Sequence, residues 1–166
     1  MRDLMYQIGK LEGILKTFEW INEKVNHQYS FELVILDNDK SLKEQVEVRL
    51  KQWYLEATFE YKTIHSQQPL IDALSSWLFE YLPHPKDKDG FNRDALDANN
   101  SSISVLELES RHKFAKNFCN DLDSVLNIQR IEQVTMHTND WYEAQWIDYA
   151  IEGEKGRVFL HLGVSD

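Results

Sequence analysis

Through the first 25 positions, apolar residues recur at steps of three and four. Leu4, Met5, Ile8, Leu11, Ile14, Leu15, Phe18, Ile21 and Val25 share one side, opposite Lys10, Glu12, Lys16, Glu19 and Glu23. That period predicts an amphipathic helix. Gly9 and Gly13 fall inside it, each costing about 1 kcal/mol against Ala. Close approach by another element and simple weakening of the helix are both open readings for them.

The period then shortens. Tyr29 to Leu36 is aromatic and branched, ends at Asp37-Asn38-Asp39, and predicts a strand. Ser41 and Glu44 form a capping-box pair, and Leu42, Val46, Leu50, Trp53, Tyr54, Ala57, Tyr61 and Ile64 continue on one helical side. This predicts a second helix running to Ile64. Pro69 opens a third, with Leu70, Ile71, Leu74, Trp77, Leu78 and Tyr81, stopping at Pro83-His84-Pro85. Residues 83–102 carry turn chemistry and are expected to form an exposed connection. A fourth helix begins near Ser104, with Glu107 as its capping partner. It carries Val105, Leu108, His112, Ala115, Cys119, Leu122 and Leu126, and stops at Asn127.

From residue 131 the period is two. Strands are predicted over 131–138, 141–152 and 157–164, joined by Thr138-Asn139-Asp140 and Gly153-Glu154-Lys155-Gly156. The expected fold class is α+β. Four amphipathic helices pack against a C-terminal antiparallel β-meander, and the strand at 29–36 is free to join it. One domain spans 1–166, because this length suits a single core.

The last turn fixes a register. A two- or four-residue loop through Glu154-Lys155 sets Ile151 opposite Val158, Tyr149 opposite Leu160 and Ile147 opposite Leu162. That face is apolar. The other face sets Ala150 beside Phe159, Asp148 beside His161 and Trp146 beside Gly163. A one-residue slip would exchange the two faces.

Asp148 and His161 are the most specific polar pair. A carboxylate beside an imidazole favours the charged ring and can support acid–base chemistry. No serine or cysteine nucleophile is placed beside them by sequence, and a cross-strand ion pair is the plainer expectation. Tyr142, Trp146 and Phe159 share that face, so it reads either as a binding surface or as a second core under a helix.

Other chemistry is thin. The six histidines, His27, His65, His84, His112, His137 and His161, lack ligand spacing, and Cys119 is the single cysteine. No metal or cofactor is expected. Aligning Gly90 with a calcium loop leaves Pro85 and Leu96 at its end positions, so no EF-hand is expected. Cys119 sits on an apolar stripe that favours an inert thiol. His112 lies about 10.5 Å away along the helix axis, too far to activate it. There is no phosphate loop and no G-x-S-x-G.

Charge changes the picture last. The chain has 18 basic and 28 acidic residues, a net of −10. That argues against duplex nucleic acid as a partner. Residues 131–166 hold two basic and seven acidic residues, half of the net charge. The N-terminus lacks a signal-peptide core, no apolar run reaches membrane-span length, and a lone cysteine suits a reducing compartment. A cytoplasmic protein away from membranes is expected. The leading expectation is a non-catalytic inhibitor or immunity-type protein that binds a basic effector through Asp140, Tyr142, Glu143, Trp146, Asp148, Glu152 and Phe159. The alternatives are a small enzyme using Asp148 and His161, or a structural or adaptor subunit.

Overall fold

The computed structural model describes residues 2–24, 28–37, 39–79 and 108–165. The expected connection at 83–102, the Ser104–Glu107 cap and the 85–96 turn lie outside the described residues. The elements are α1 (Arg2–Asn22), β1 (Tyr29–Leu36), α2 (Leu42–Lys51), β2 (Thr58–Ile64), α3 (Gln68–Trp77), α4 (Leu108–Leu126), β3 (Ile128–His137), β4 (Gln145–Gly153) and β5 (Gly156–Val164). The strands form one antiparallel sheet in the order β1-β5-β4-β3-β2. The α+β expectation holds, and the strand at 29–36 does join the meander, beside β5.

The second helix is shorter than its apolar spacing predicts. The capping box starts it: Ser41 Oγ accepts from Glu44 N–H at 3.3 Å, and the Glu44 carboxylate accepts from Ser41 N–H at 2.9 Å. Arg49 and Lys51 suit its last turn, where the helix dipole favours cations. The chain then leaves the helix at Gln52, and Ala57 N–H donates to Tyr54 C=O in the turn that follows. Thr58–Ile64 is a strand paired residue for residue with Ile131–His137 of β3. Phe59, Tyr61 and Thr63 fit a period of two as well as the helical reading fitted Tyr61 and Ile64. Cross-strand pairing decided between them, because local propensity is weak against tertiary contacts.

The C-terminal hairpin follows the expected register. Gly153 pairs Gly156 across the Glu154–Lys155 turn, and Ile151, Tyr149 and Ile147 face Val158, Leu160 and Leu162. The turn docks on the end of α4: Glu154 N–H donates to Asn127 C=O and Lys155 N–H to Leu126 C=O. Asn127 ends α4 in the left-handed region, at φ 54°, a conformation Asn tolerates better than most residues. A Cβ at Gly153 would collide with the Leu126 carbonyl, so that docking requires glycine. Among the described residues, nothing comes within 4 Å of a Cβ placed at Gly9 or Gly13, so none of them makes a close approach there.

Both faces of the sheet are covered, making three layers. α1, α3 and α4 pack on one face around Leu15, Phe31, Leu70, Leu122, Tyr149 and Leu160. α2 covers part of the other, where Leu42, Val46 and Leu50 meet Leu36, Val134, Met136, Ala150 and Phe159. The binding-surface reading expected Phe159 and Asp148 to be accessible. Phe159 is 1 % exposed and Asp148 is not exposed at all. The second-core reading is correct for this part of the face, because α2 removes its apolar groups from water.

Candidate functional site

Beyond the C-terminal end of α2, the second face is roofed by two loops instead of a helix. Residues 52–57 precede β2, and residues 138–144 precede β4. Their tyrosines meet: the Tyr54 and Tyr142 rings lie 5.1 Å apart, edge to face at 81°, and Tyr142 packs in turn on Trp146. Beneath them, the face presents Ser30 and Glu32 from β1, His161 from β5 and Asp148 from β4. The pairing Glu32↔His161↔Asp148 sets three strands side by side, so these side chains project together.

The polar groups form one network. His161 Nδ1 lies 2.6 Å from Asp148 Oδ1, and Nε2 lies 2.9 Å from Ser30 Oγ and 3.3 Å from Glu143 Oε1. Ser30 Oγ–H donates to Glu143 Oε1 at 2.5 Å, and the Tyr142 hydroxyl donates to Asp148 Oδ2 at 3.3 Å. Burial alone would lower the His161 pKa, but the hydrogen bonds and charges of Asp148 and Glu143 outweigh it and lift it to about 9. Burial pushes Asp148 upward, against the pull of His161 and Tyr142. Burial, then the charges of Asp148 and Glu143, push the Tyr142 hydroxyl well above its ordinary value, so it stays a neutral donor.

Gly163 makes room for this. It sits opposite Trp146 on β4 and Ser30 on β1. A Cβ there would overlap the Glu143 carboxylate and press on His161 Nε2. Glu143 therefore reaches the cluster across a strand position that carries no side chain.

Ser30, His161 and Asp148 have the spacing of a serine nucleophile relay. Glu143 alters what that spacing can do. A carboxylate stands at each ring nitrogen, so the imidazolium donates from both and has no lone pair to take the serine proton. Ser30's own proton is committed to Glu143. Below about pH 9 the cluster is a closed ionic lock joining β1, β4, β5 and the 138–144 loop.

A cavity of about 380 Å³ opens beside the lock, bordered by α2, the two loops and the sheet. Arg49 sits at its margin, 2.5 Å from Glu32 and with its guanidinium 5.9 Å from the Phe159 ring centre.

The acidic residues of the last segment divide sharply. Asp140 is exposed. Glu143 and Asp148 are consumed by the lock, Glu152 pairs with Arg157, and buried Glu132 pairs with Arg130. Against the segment's net of −5, His161, and Arg130 from outside it, supply two compensating charges, and Glu154 stays exposed like Asp140. The residues that sequence reasoning missed are Ser30, Arg49, Trp53 and Tyr54 as members of this site. The alternation Phe59, Tyr61, Thr63 was the available signal, because ending the helix early places Trp53 and Tyr54 on a loop.

The remaining candidates are quiet. Cys119 is buried, and burial pushes its thiol up to about 12. His112 Nδ1 lies 3.9 Å from Asp72, between α4 and α3. Among the described residues, no group of His, Cys, Asp and Glu could hold a metal ion, and no helix is long and apolar enough to cross a membrane. Compared with known proteins, the chain matches no family model, no curated protein and no solved structure.

Proposed function

We propose that this chain is a non-catalytic acidic binding protein of the inhibitor or immunity type, which neutralises a basic protein by occupying it. One observation carries the reading. The two loops over the lock hold large apolar side chains in water: Trp53 is 79 % exposed, Leu55 81 % and Trp141 69 %. Tryptophan is among the residues most enriched in binding hot spots. Acidic residues flank these anchors, with Glu56 beside Leu55 and Asp140 beside Trp141, both exposed. That pattern favours a basic partner and speeds its encounter.

The lock supports this reading in a second way. Pinning residue 143 to Ser30 of β1 and His161 of β5 restricts the loop that carries Trp141, which lowers the entropy lost on binding. The residues taken from the sequence then divide into two roles. Asp140, with Trp141 beside it, meets the partner. Tyr142, Glu143, Asp148 and Phe159 hold the surface in place, with Trp146 packed on Tyr142. Glu152 is tied to Arg157.

The test is capture from the native cell with the wild-type chain, a Trp53→Ala/Trp141→Ala variant and Asp140→Lys. The expected result is one basic protein retained by the wild type, lost from the double variant, and held by Asp140→Lys with less salt dependence. Equal retention by all three would overturn the proposal.

A further inference from the structure

We propose that the open edge of β2 pairs antiparallel with the same edge of a second copy of this chain, a contact that the binding reading above does not require. The sheet has two edge strands, β1 and β2, and treats them differently. β1 is closed. α1 packs along it, none of its residues is exposed, and Phe31 N–H donates to the Glu19 carboxylate of α1 at 2.6 Å. β2 is open. Its residues are exposed or half-buried, and among the described residues only β3 pairs with it. Every other residue of such a strand turns its N–H and C=O outward, a template for a further strand.

The order of residues selects the occupant. Thr58-Phe59-Glu60-Tyr61-Lys62-Thr63-Ile64 places opposite charges at equal distances from its central tyrosine. A two-fold axis at Tyr61 sets Glu60 of each copy opposite Lys62 of the other. Tyr61 then meets its own counterpart, Phe59 faces Thr63, and Thr58 faces Ile64. Directly opposite residues share a face, so the pairing yields two symmetric ion pairs. Moving the axis to Glu60 or to Lys62 would set like charges together. Charges on an edge strand ordinarily keep edges apart. In this register each becomes the partner of the other.

The groups involved are available. Glu60 touches His137 Nε2 at 3.4 Å, with both side chains more than half exposed, a contact worth little. Lys62 is exposed and makes no ion pair among the described residues. Tyr61 is already held at the edge, its hydroxyl donating to Lys43 C=O at 3.2 Å. A net charge of −10 makes two copies repel, but residues 40–65, which include β2, hold five basic and four acidic residues. Two copies meet with least repulsion through this region, and physiological salt screens the rest beyond about 8 Å.

Two short edges make a small interface, so a Kd on the order of 100 μM is expected. The experiment is sedimentation equilibrium of the full chain, from micromolar to millimolar, at physiological salt. The expected result is a monomer–dimer equilibrium that Glu60→Lys and Lys62→Glu each weaken about tenfold, since either variant sets like charges opposite one another at two symmetric positions. The combined variant Glu60→Lys/Lys62→Glu restores the wild-type Kd, because the charges are exchanged across the same axis. Both positions are exposed, so these variants fold as the wild type does.

A chain that stays monomeric to millimolar concentration, a Kd indifferent to the single variants, or an exchange that fails to restore association would overturn the proposal. So would a dimer lost in Trp141→Ala and kept in both single charge variants, which would place self-association on the loops instead of the β2 edge.

Discussion

Ser30 Oγ and His161 Nε2 lie 2.9 Å apart although 131 residues separate them in the chain. They meet because β1 pairs with β5 with Ser30 opposite Gly163, two residues beyond His161. Side chains two apart on a strand share a face, so both project under the same loops.

That contact invites a test of chemistry. With Glu143 holding the serine proton and His161 charged, Ser30 is expected to be unreactive at pH 7. A fluorophosphonate probe should label neither the wild type nor Ser30→Ala. Labelling of the wild type that disappears in Ser30→Ala would mean the relay works as a nucleophile despite Glu143.

The lock also predicts a pH profile. His161 is lifted to about 9 from an ordinary 6.5, so the folded state binds its proton more tightly than the unfolded state. Its contribution is fully present below pH 6.5 and is lost as pH rises through 9. Urea titrations at pH 6.5 and 9.5 should differ by something on the order of 3 kcal/mol. A flat profile would show that His161 is neutral in the fold.

Gly163→Ala should be costly, because the new methyl would overlap Glu143. Overpacking of this kind costs about 1–3 kcal/mol. Combining it with Glu143→Ala should recover part of that loss, since one of the two crowding groups is then removed. The thermal unfolding of the two single variants and the double variant gives the coupling directly. Strict additivity would place Glu143 elsewhere.

Charge reversals should separate surface from interior. Asp140→Lys should leave the unfolding temperature nearly unchanged, as exposed substitutions usually do. Asp148→Lys should fail to fold, because it puts an unpaired charge beside His161 in a fully buried position. Circular dichroism melts of both chains decide this. Equal melts would contradict the burial of Asp148.

Much of this protein follows from patterning in one chain. The three-and-four spacing around Leu11 and Leu15 gives α1, Ser41 and Glu44 give the start of α2, and Asn127 gives the end of α4. The Glu154–Lys155 turn gives the pairing of Asp148 with His161. These features depend on contacts within about 15 residues, where side-chain period and turn chemistry are strong signals. The end of α2 was ambiguous for the same reason, because Tyr61 fits a period of two with Phe59 and Thr63 and a helical step with Ile64. Only β3 resolved it.

The site belongs to the tertiary structure. No local pattern could say that Ser30 would stand beside His161, that Glu143 would reach across Gly163, or that α2 would bury Phe159. Strand order between segments distant in sequence is set by the combined burial of both sheet faces, a property of the whole chain. The sequence by itself determined which residues alternate and where the turns fall. The fold decided which acidic residues remain in water and which are locked around a histidine, because burial alone sets whether a charge meets solvent or a partner.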